Sequence, residues 1–363
     1  VSAALRSDAP LVVVEAPAGC GKTHQGSGYA VDAAESFRGD GRILILAHTH
    51  AACDVFSQRT PHLRRRVEVR TIDSMIVEVA AAYHLPLGLP ADAGSWARTN
   101  QRGYELLAGK VAGLLMKSPA IEKMLARRYP IVICDEHQDA STDQHAIAMA
   151  IRRGGARLRI FGDPMQRIYG TSSVKAVAEF DAAWNALKCS GAAENLDTPH
   201  RWSTDESLGR WILAARSALR DGGQVNLTGP LPESVRVITA ENSSQRARGY
   251  SVSGAERKPI DRAVMAASEL LILTPHNDIV LALRAFFNRA LPIWEGHVRE
   301  ALDVVAAAME QYEGDPCGIA EALVAFLGVV CKGFSRSAFG DALVAEVRSG
   351  CATVRRGKPA ALQ

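Results

Sequence analysis

A phosphate-binding loop is the sequence feature that most constrains the fold of this chain. The apolar segment from Leu11 to Val14 runs into Ala16 to Thr23 (APAGCGKT), and a helical pattern follows from His24 to Phe37. Backbone N–H groups at a helix N-terminus bind phosphate oxygens, provided that no side chains are in the way. A chance glycine-rich turn is the alternative, but the flanking strand and helix match the context that such loops need. The segment therefore predicts a nucleotide site.

The residues of this loop have separate predicted roles. Gly19 and Gly21 leave room for the phosphates, and Lys22 supplies a point charge to the β- and γ-phosphates. The hydroxyl of Thr23 is a predicted ligand for Mg²⁺. Ala16 stands where the first glycine of the pattern is usual. The nucleotide-binding residues predicted within the loop are Ala18, Gly19, Cys20, Gly21, Lys22 and Thr23.

Length and composition describe an ordinary globular protein. A chain of 363 residues is expected to form two domains, and its net charge of +3 permits a nucleic-acid partner without arguing for one. Its seven cysteines include no CxxC pair, which favours reduced thiols. No apolar run approaches membrane-spanning length, and no signal peptide is evident. We expect a soluble cytoplasmic protein with no membrane partner, whose native N-terminus precedes Val1.

Apolar runs that alternate with helical patterns predict a parallel sheet. After the first strand, further strands are predicted at Arg42 to Ala47, Val67 to Thr71, Tyr129 to Cys134 and Arg157 to Phe161. The stretch from Trp96 to Arg128 is predicted to be a helical insertion. Farther on, the pattern predicts a helix at Asp205 to Arg220, strands at Ser234 to Ala240 and Leu270 to Thr274, a loop between Asn242 and Pro259, and helices from Ile293 to Val347.

Two strand ends carry residues suited to nucleotide chemistry. Asp135 and Glu136 follow a buried strand, where Asp135 can hold Mg²⁺ and Glu136 can polarise an attacking water. A surface turn would be the default interpretation of an isolated acidic pair, but the phosphate loop upstream favours function. Gln166 follows the next strand and can sense the γ-phosphate by hydrogen bonding without titrating.

Polar and basic residues near two other strand ends leave alternatives open. His48, His50, Cys53 and Asp54 could be metal ligands, although a turn that touches substrate or nucleic acid is favoured. The basic run Arg64 to Arg66, with Arg70, is either a solvated surface or a contact for a phosphate backbone.

Six motifs in order resemble superfamily 1 helicases of the UvrD/Rep/PcrA type, over roughly residues 11 to 300. In that family the phosphate loop commonly begins with alanine, as here. The matching segments are APAGCGKT, ILILAHTHAA, VRTIDS, IVICDEHQD, FGDPMQRIYG and LDTPHRWS.

The resemblance implies further residue roles. Gln166 would sense the γ-phosphate, Arg201 would supply an arginine finger, and His200 would lie against the adenine, where the family has a tyrosine. With Lys22, Asp135 and Glu136, these residues would bind and hydrolyse ATP with Mg²⁺. The residues implied for single-stranded DNA are Thr49, Thr71 and Tyr169, and the polar turn and the basic run add His50 and Arg64 as predicted contacts.

Some positions depart from the family pattern. Asp73 replaces a histidine near the DNA, and Thr171 replaces a base-stacking tryptophan, so we expect weaker or different gripping of single strands. Segments that resemble the last two family motifs are not found, which predicts a fragment or a chain whose ending differs from the family.

The predicted fold is an α/β P-loop NTPase with a RecA-like parallel sheet and a helical insertion, plus a partial second RecA-like domain with its own helical insertion. The first RecA-like domain is expected at 1–74 and 129–203, with its insertion at 75–128. The partial second domain is expected at 204–291, and its insertion at 292–363.

The implied function is ATP-driven movement along single-stranded DNA, in the 3′ to 5′ direction by resemblance. The alternative is a nucleic-acid-sensing or partner-recruiting subunit of a repair or phage-defence complex, with a protein partner and no productive unwinding.

Overall fold

The computed structural model describes residues 1–168, 173–238, 241–243, 249–251, 254–266, 271–274, 279, 283, 298–330 and 334–348. The chain divides into two compact units, Val1–Arg236 and Val237–Gln363. None of the helices in the described ranges is long and apolar enough to span a membrane.

A six-stranded parallel sheet forms the centre of the first unit. The strands lie in the order β3-β2-β4-β5-β1-β6. Their bounds are β1 Leu11–Glu15, β2 Ile43–Ala47, β3 Val67–Thr71, β4 Ile131–Cys134, β5 Arg157–Gly162 and β6 Ala192–Asn195. The register pairs Val13 of β1 with Ile160 of β5, and Ile45 of β2 with Ile133 of β4. The predicted α/β fold with a parallel sheet is confirmed.

Helices cover both faces of this sheet. Side chains of successive residues point to opposite faces of a strand, so Leu11 and Val13 pack on one face while Val12 and Val14 pack on the other. The helices of this unit are α1 Ser2–Arg6, α2 Lys22–Ser36, α3 His50–Arg59, α4 Ile72–Ala82, α5 His84–Leu87, α6 Ala93–Thr99, α7 Gly103–Lys117, α8 Pro119–Arg128, α9 Thr142–Arg153, α10 Val174–Cys189 and α11 Glu206–Arg220.

The helices between β3 and β4 share a core with the sheet. Leu107, Val111 and Leu115 of α7 are fully buried in the same cluster as Val132 of β4 and Ile147 of α9. The segment expected to be a helical insertion is therefore helical, and part of it covers one face of the sheet directly.

All strands of the sheet are parallel, so their ends form two functionally different edges. At the carboxyl edge the strands lead into the phosphate loop, the acidic pair and the segment with Gln166. At the amino edge lie the residues that precede each strand. Ligands of open parallel sheets bind at the carboxyl edge, so a nucleotide site is expected there.

The second unit is helical over most of its described residues. Its helices are α12 Gly254–Ala266, α13 Val298–Gln311, α14 Pro316–Val330 and α15 Asp341–Arg348. Val324 of α14 and Val344 of α15 are buried together, with Phe334 packed against them. This agrees with the helical pattern predicted from Ile293 to Val347, as far as that stretch is described.

The strands expected in the later part of the chain are wrong where they can be compared. Residues 234–238 and 271–274 belong to no strand, and the remainder of those two segments lies outside the described residues. A short antiparallel pair forms instead from β7 Glu241–Ser243 and β8 Gly249–Ser251, where a loop was expected. The helix α12 also runs through Pro259, the end of the predicted loop. A few residues with β-branched side chains are a weak signal when tertiary packing decides the outcome.

Candidate functional site

The phosphate loop connects β1 to α2 with two glycines in the left-handed region. Gly19 has φ 74° and Gly21 has φ 90°, backbone angles that glycine adopts at no steric cost. Gly21 is the N-cap of α2, so the first N–H groups of that helix face the loop. Cys20 is buried, and burial raises the pKa of its thiol, which keeps it protonated. The loop therefore has the backbone geometry of an anion site.

Lys22 lies in this loop with its ammonium group directed at an acid. Its side chain is only 7% exposed, and Nζ is 3.2 Å from the carbonyl oxygen of Ala16, to which it donates. The same Nζ lies 3.1 Å from Oε2 of Glu136. Lys22 and Glu136, which are 114 positions apart in sequence, are thus brought together at the carboxyl edge.

Asp135 and Glu136 follow β4, as predicted. Burial, together with the charge of Glu136, raises the pKa of Asp135 to about 7 against the opposing effect of Lys22. Glu136 has φ 48°, which is unusual for a residue other than glycine and is found most often at functional sites. Asp135 is therefore held in an environment that penalises its own charge.

The residues predicted for Mg²⁺ fit a hard cation. Oδ1 of Asp135 is buried and has no hydrogen-bond partner among the described residues, which is the condition that a bound cation would relieve. Thr23 lies in the first turn of α2, beside the phosphate loop. Mg²⁺ binds through one or two protein oxygens together with phosphates and water, so Thr23 and Asp135 suffice as its protein ligands.

Gln166 is held by a charged pair at the end of β5. Its Nε2 donates to Oδ2 of Asp163 at 2.6 Å. Asp163 is fully buried and forms a bidentate ion pair with Arg216 of α11. Nη1 of Arg216 lies 2.9 Å from Oδ2 of Asp163, and Nη2 lies 2.5 Å from Oδ1. Sequence reasoning assigned no role to Asp163 or Arg216. For Asp163 the only sequence signal was its place in the motif Gly162-Asp163-Pro164 after a predicted strand. The sequence held no signal for Arg216.

Gln138 links the ends of β4 and β5. Its Nε2 donates to Oε2 of Glu136 at 2.9 Å, and its Oε1 accepts from the backbone N–H of Asp163 at 3.0 Å. The side chain is buried, so it has few alternative partners. Gln138 therefore joins the acidic pair to the segment of Gln166. It lies in the DEHQD box noted in the sequence, but no role was predicted for it.

The segment of His200 and Arg201 lies against the phosphate loop. The backbone N–H of Arg201 donates to the carbonyl oxygen of Gly19 at 3.1 Å. A Cβ added at Gly19 would lie 2.7 Å from Cβ of Arg201 and 2.7 Å from the ring of Trp202, and one added at Gly21 would lie 3.6 Å from the ring of His200. His200 and Arg201, from the far end of the domain, therefore lie next to the phosphate loop. Position 19 must be glycine there, because a larger residue would clash with Arg201 and Trp202.

A buried acid below the loop was not predicted from the sequence. Glu15 ends β1, and its carboxylate accepts from Lys188 at 2.9 Å, from Trp184 at 3.2 Å and from Arg220 at 2.8 Å. Burial alone would raise the pKa of Glu15, but the hydrogen bonds from Lys188 and Trp184 outweigh it, so the pKa is lowered. Glu15 therefore fixes α10 and α11 to the strand that enters the loop.

The residues predicted for single-stranded DNA do not all share one edge. Thr49 and Thr71 follow β2 and β3 at the carboxyl edge, and each hydroxyl caps a helix by accepting from Ala52 N or Ser74 N at 3.1 Å. His50 begins α3 and is exposed. Arg64 precedes β3 and lies at the amino edge, on the order of 16 Å away for a five-residue strand.

Four other positions were discussed as contacts for nucleic acid. Tyr169 and Thr171 lie outside the described residues. Oδ1 of Asp73 accepts from Nε2 of Gln144 at 2.8 Å, so the acid that replaces a family histidine has a protein partner. Arg70, at the end of the basic run, is paired with Glu68 at 3.1 Å and with Glu78.

A cavity of about 770 Å³ lies beside the segment that follows the acidic pair, from His137 to Asp139. Its wall includes His48, His137, His145, Asp73 and Phe180. Burial lowers the pKa of His137 to about 3, with His145 and His48 adding to the effect, so this imidazole is neutral at pH 7. No group of three or more His, Cys, Asp or Glu side chains among the described residues could hold a metal ion. The alternative metal site at His48, His50, Cys53 and Asp54 is therefore not formed.

The parallel sheet, the phosphate loop before α2 and the acidic pair after β4 define a P-loop NTPase, the class of enzymes that hydrolyse nucleoside triphosphates. Residues 1–230 match the family described as AAA domain. This match covers more than half of the chain, and the chain belongs to that family.

Two further comparisons accompany this assignment. The chain is similar to the crystal structure of Pif1 helicase from Candida albicans, with 16% sequence identity and a TM-score of 0.33. The similarity covers 72% of this chain and 52% of that one, so the chain spans about half the length of that helicase. No curated protein matches it.

Proposed function

We propose that the protein is an ATP-dependent superfamily 1 motor of the UvrD/Rep type, which hydrolyses ATP with Mg²⁺ and moves along single-stranded DNA from 3′ to 5′. Residues 204–291 would act as a partial second RecA-like domain and 292–363 as its helical insertion. The observation that carries the proposal is the meeting of Lys22, Asp135 and Glu136 at the end of the phosphate loop.

The chemistry follows from the contacts of these side chains. Phosphate oxygens bound at the loop would accept hydrogen bonds from Nζ of Lys22 in place of Glu136. Glu136 would then be released from its ion pair. Thr23 and Asp135 would hold Mg²⁺, which would supply positive charge to the phosphate oxygens. Freed Glu136 would orient a water for in-line attack and accept its proton.

Two further residues would respond to the γ-phosphate. Gln166 is tied to Asp163 in this structure and has a second N–H for a phosphate oxygen. Arg201 would supply positive charge to the transition state, and such arginines are worth about 10³ to 10⁵ in rate in NTPases. Its backbone contact with Gly19 places it next to the loop.

The test is hydrolysis and movement by the full chain. We expect Mg²⁺-dependent phosphate release from ATP that rises when single-stranded DNA is added, and that is lost in Lys22→Ala. A matched control is Lys117→Ala, which removes an exposed lysine at the end of α7. Displacement of streptavidin from one labelled DNA end, but not the other, would report the direction. Absence of stimulation by any single strand would contradict the motor.

One observation favours the alternative of a sensing or partner-recruiting subunit. Asp73 places a carboxylate at the carboxyl edge near Thr71, where it would repel a phosphate backbone, and its bond with Gln144 stabilises that position. Under this alternative, ATP would promote binding of DNA or a protein partner without strand separation. Robust unwinding of a tailed duplex by the isolated protein would exclude it.

A further inference from the structure

The amino edge of the sheet carries a concentration of arginines that the proposed motor chemistry does not use. These residues come from the segments that precede β2, β3 and β4, three neighbouring strands of the sheet. We call this surface the arginine edge, and it comprises Arg38, Arg42, Arg64, Arg65, Arg66, Arg127 and Arg128.

Hydrogen bonds show that the arginine edge is continuous. The backbone N–H of Arg42 donates to the carbonyl oxygen of Arg128 at 2.8 Å, and that of Ile43 donates to the carbonyl oxygen of Arg66 at 2.8 Å. The guanidinium of Arg42 donates to the carbonyl oxygen of Arg64 at 2.9 Å. Three separate segments of the chain are therefore joined into one surface.

Carboxylates compensate only part of this charge. Arg42 pairs with Glu68 at 2.6 Å and Arg128 pairs with Glu78 at 2.7 Å, and both of these acids are shared with Arg70. Among the described residues, no carboxylate lies within 4.0 Å of the side chains of Arg64, Arg65 or Arg127, and all three are exposed. The surface keeps an excess of positive charge.

The shape and composition of the surface distinguish between possible polyanions. A depression of about 570 Å³ lies on it, lined in part by Arg42, Arg127 and Arg128 and also by the exposed acid Asp40. Non-specific single-strand sites combine basic residues with exposed aromatic rings on which bases stack. Among the described residues of this edge, Tyr129 is 1% exposed, Phe37 is half-buried and lines the depression, and His62 is exposed. The surface therefore offers dense positive charge with few rings on which bases could stack.

We propose that the arginine edge binds the sugar-phosphate backbone of double-stranded nucleic acid. Duplexes present dense, regularly spaced phosphates and keep their bases inside, which matches a surface with dense positive charge and few stacking rings. The edge is separated from the carboxyl edge by the length of the strands, so we expect duplex binding here without nucleotide. The inference stands whether or not the protein is a motor.

The test measures binding of a short blunt-ended duplex to the full chain, without nucleotide, by fluorescence anisotropy over about 50 to 200 mM salt. The variant is Arg64→Ala/Arg65→Ala/Arg127→Ala. Each arginine that contacts a phosphate contributes about 0.9 to the slope of log K against log salt, so the triple variant should lose about 2 to 3 units of slope. The control, Arg98→Ala/Lys117→Ala/Arg210→Ala, makes the same change in charge elsewhere.

Equal salt slopes for the wild type and the arginine-edge variant, with both variants melting at the wild-type temperature, would overturn the proposal. Binding of a labelled poly-glutamate peptide is measured in the same way. If the arginine-edge variant loses binding of this peptide but keeps binding of the duplex, the edge belongs to an acidic protein partner and the proposal is wrong. Unlabelled duplex should compete better than a single strand of equal charge. Equal or better competition by the single strand would contradict the choice of a duplex.

Discussion

Nζ of Lys22 lies 3.1 Å from Oε2 of Glu136, so the lysine of the phosphate loop is bound to the residue expected to activate water. Glu136 is further held by Gln138 at 2.9 Å. A phosphate group at the loop and the carboxylate of Glu136 would compete for the same ammonium group. Nucleotide binding would therefore be coupled through one ion pair to the release of Glu136, the proposed general base.

This pair predicts opposite effects on binding and hydrolysis. In Glu136→Gln the charge that competes for Lys22 is gone, so ATP should bind several-fold more tightly. Hydrolysis should fall by about 10² or more, because a positioned general base contributes roughly 10² to 10⁴. Fluorescent nucleotide binding and phosphate release measure the two effects. Weaker nucleotide binding in this variant would show that the pair does not oppose the phosphates.

Asp135→Asn should stabilise the protein without nucleotide. The ionised wild-type carboxyl is destabilised by burial and by the charge of Glu136, so removing this charge is worth on the order of 1 kcal/mol or more above pH 7. The melting temperature should therefore rise. The same variant should lose the additional stabilisation that Mg²⁺ gives the wild type in the presence of ATP. A variant that melts below the wild type and still responds to Mg²⁺ would argue against a metal-binding role.

Arg216→Lys should lower turnover more than it changes the KM for ATP. Lysine keeps the positive charge beside Asp163 but cannot make the two-pronged contact that fixes this carboxylate and, through it, Gln166. We expect a fall in kcat on the order of tenfold, since the supporting geometry is only loosened. Arg210→Lys, on an exposed face of the same helix, is the matched control. Equal kcat values in the two variants would remove this positioning role.

Glu15→Gln tests the buried cluster below the loop through its dependence on pH. Because the pKa of Glu15 is lowered in the folded state, its stabilisation is present above the unfolded value near 4.5 and is lost as pH falls through the folded value. At pH 7 the variant should lose about 1 to 3 kcal/mol, since the partly buried Lys188 loses its anionic partner while the half-exposed Arg220 can turn to solvent. Urea unfolding from pH 7 down to about pH 3 should show a constant difference from the wild type above 4.5 and a shrinking difference below it. A difference that stays constant over the whole range would contradict the charge assignment.

The local patterns of the sequence predicted the centre of the fold well. The strand before the phosphate loop, the loop itself and the following helix are encoded by adjacent residues, so Leu11 to Ser36 could be predicted directly. Strand β6 was missed because Ala192–Asn195 has neither an apolar run nor a clear alternation. Its place beside β1 is decided by packing across the sheet.

The site was predictable as a set of residues but not as a set of contacts. Glu15, Asp163 and Arg216 come together from distant parts of the chain, and no local spacing reports such a meeting. The edge occupied by Arg64, in contrast, could be predicted from the sequence. A residue that precedes a strand of a parallel sheet lies at the amino edge, and both the parallel sheet and the strand from Val67 to Thr71 were predicted.

The most direct test of the central claim is steady-state phosphate release from ATP by the full chain, with Mg²⁺, comparing the wild type with Lys22→Ala. The account predicts release that requires Mg²⁺ and that falls to background in the variant, because Lys22 is the buried cation at the phosphate loop. Release by the wild type that does not exceed that of Lys22→Ala would contradict it.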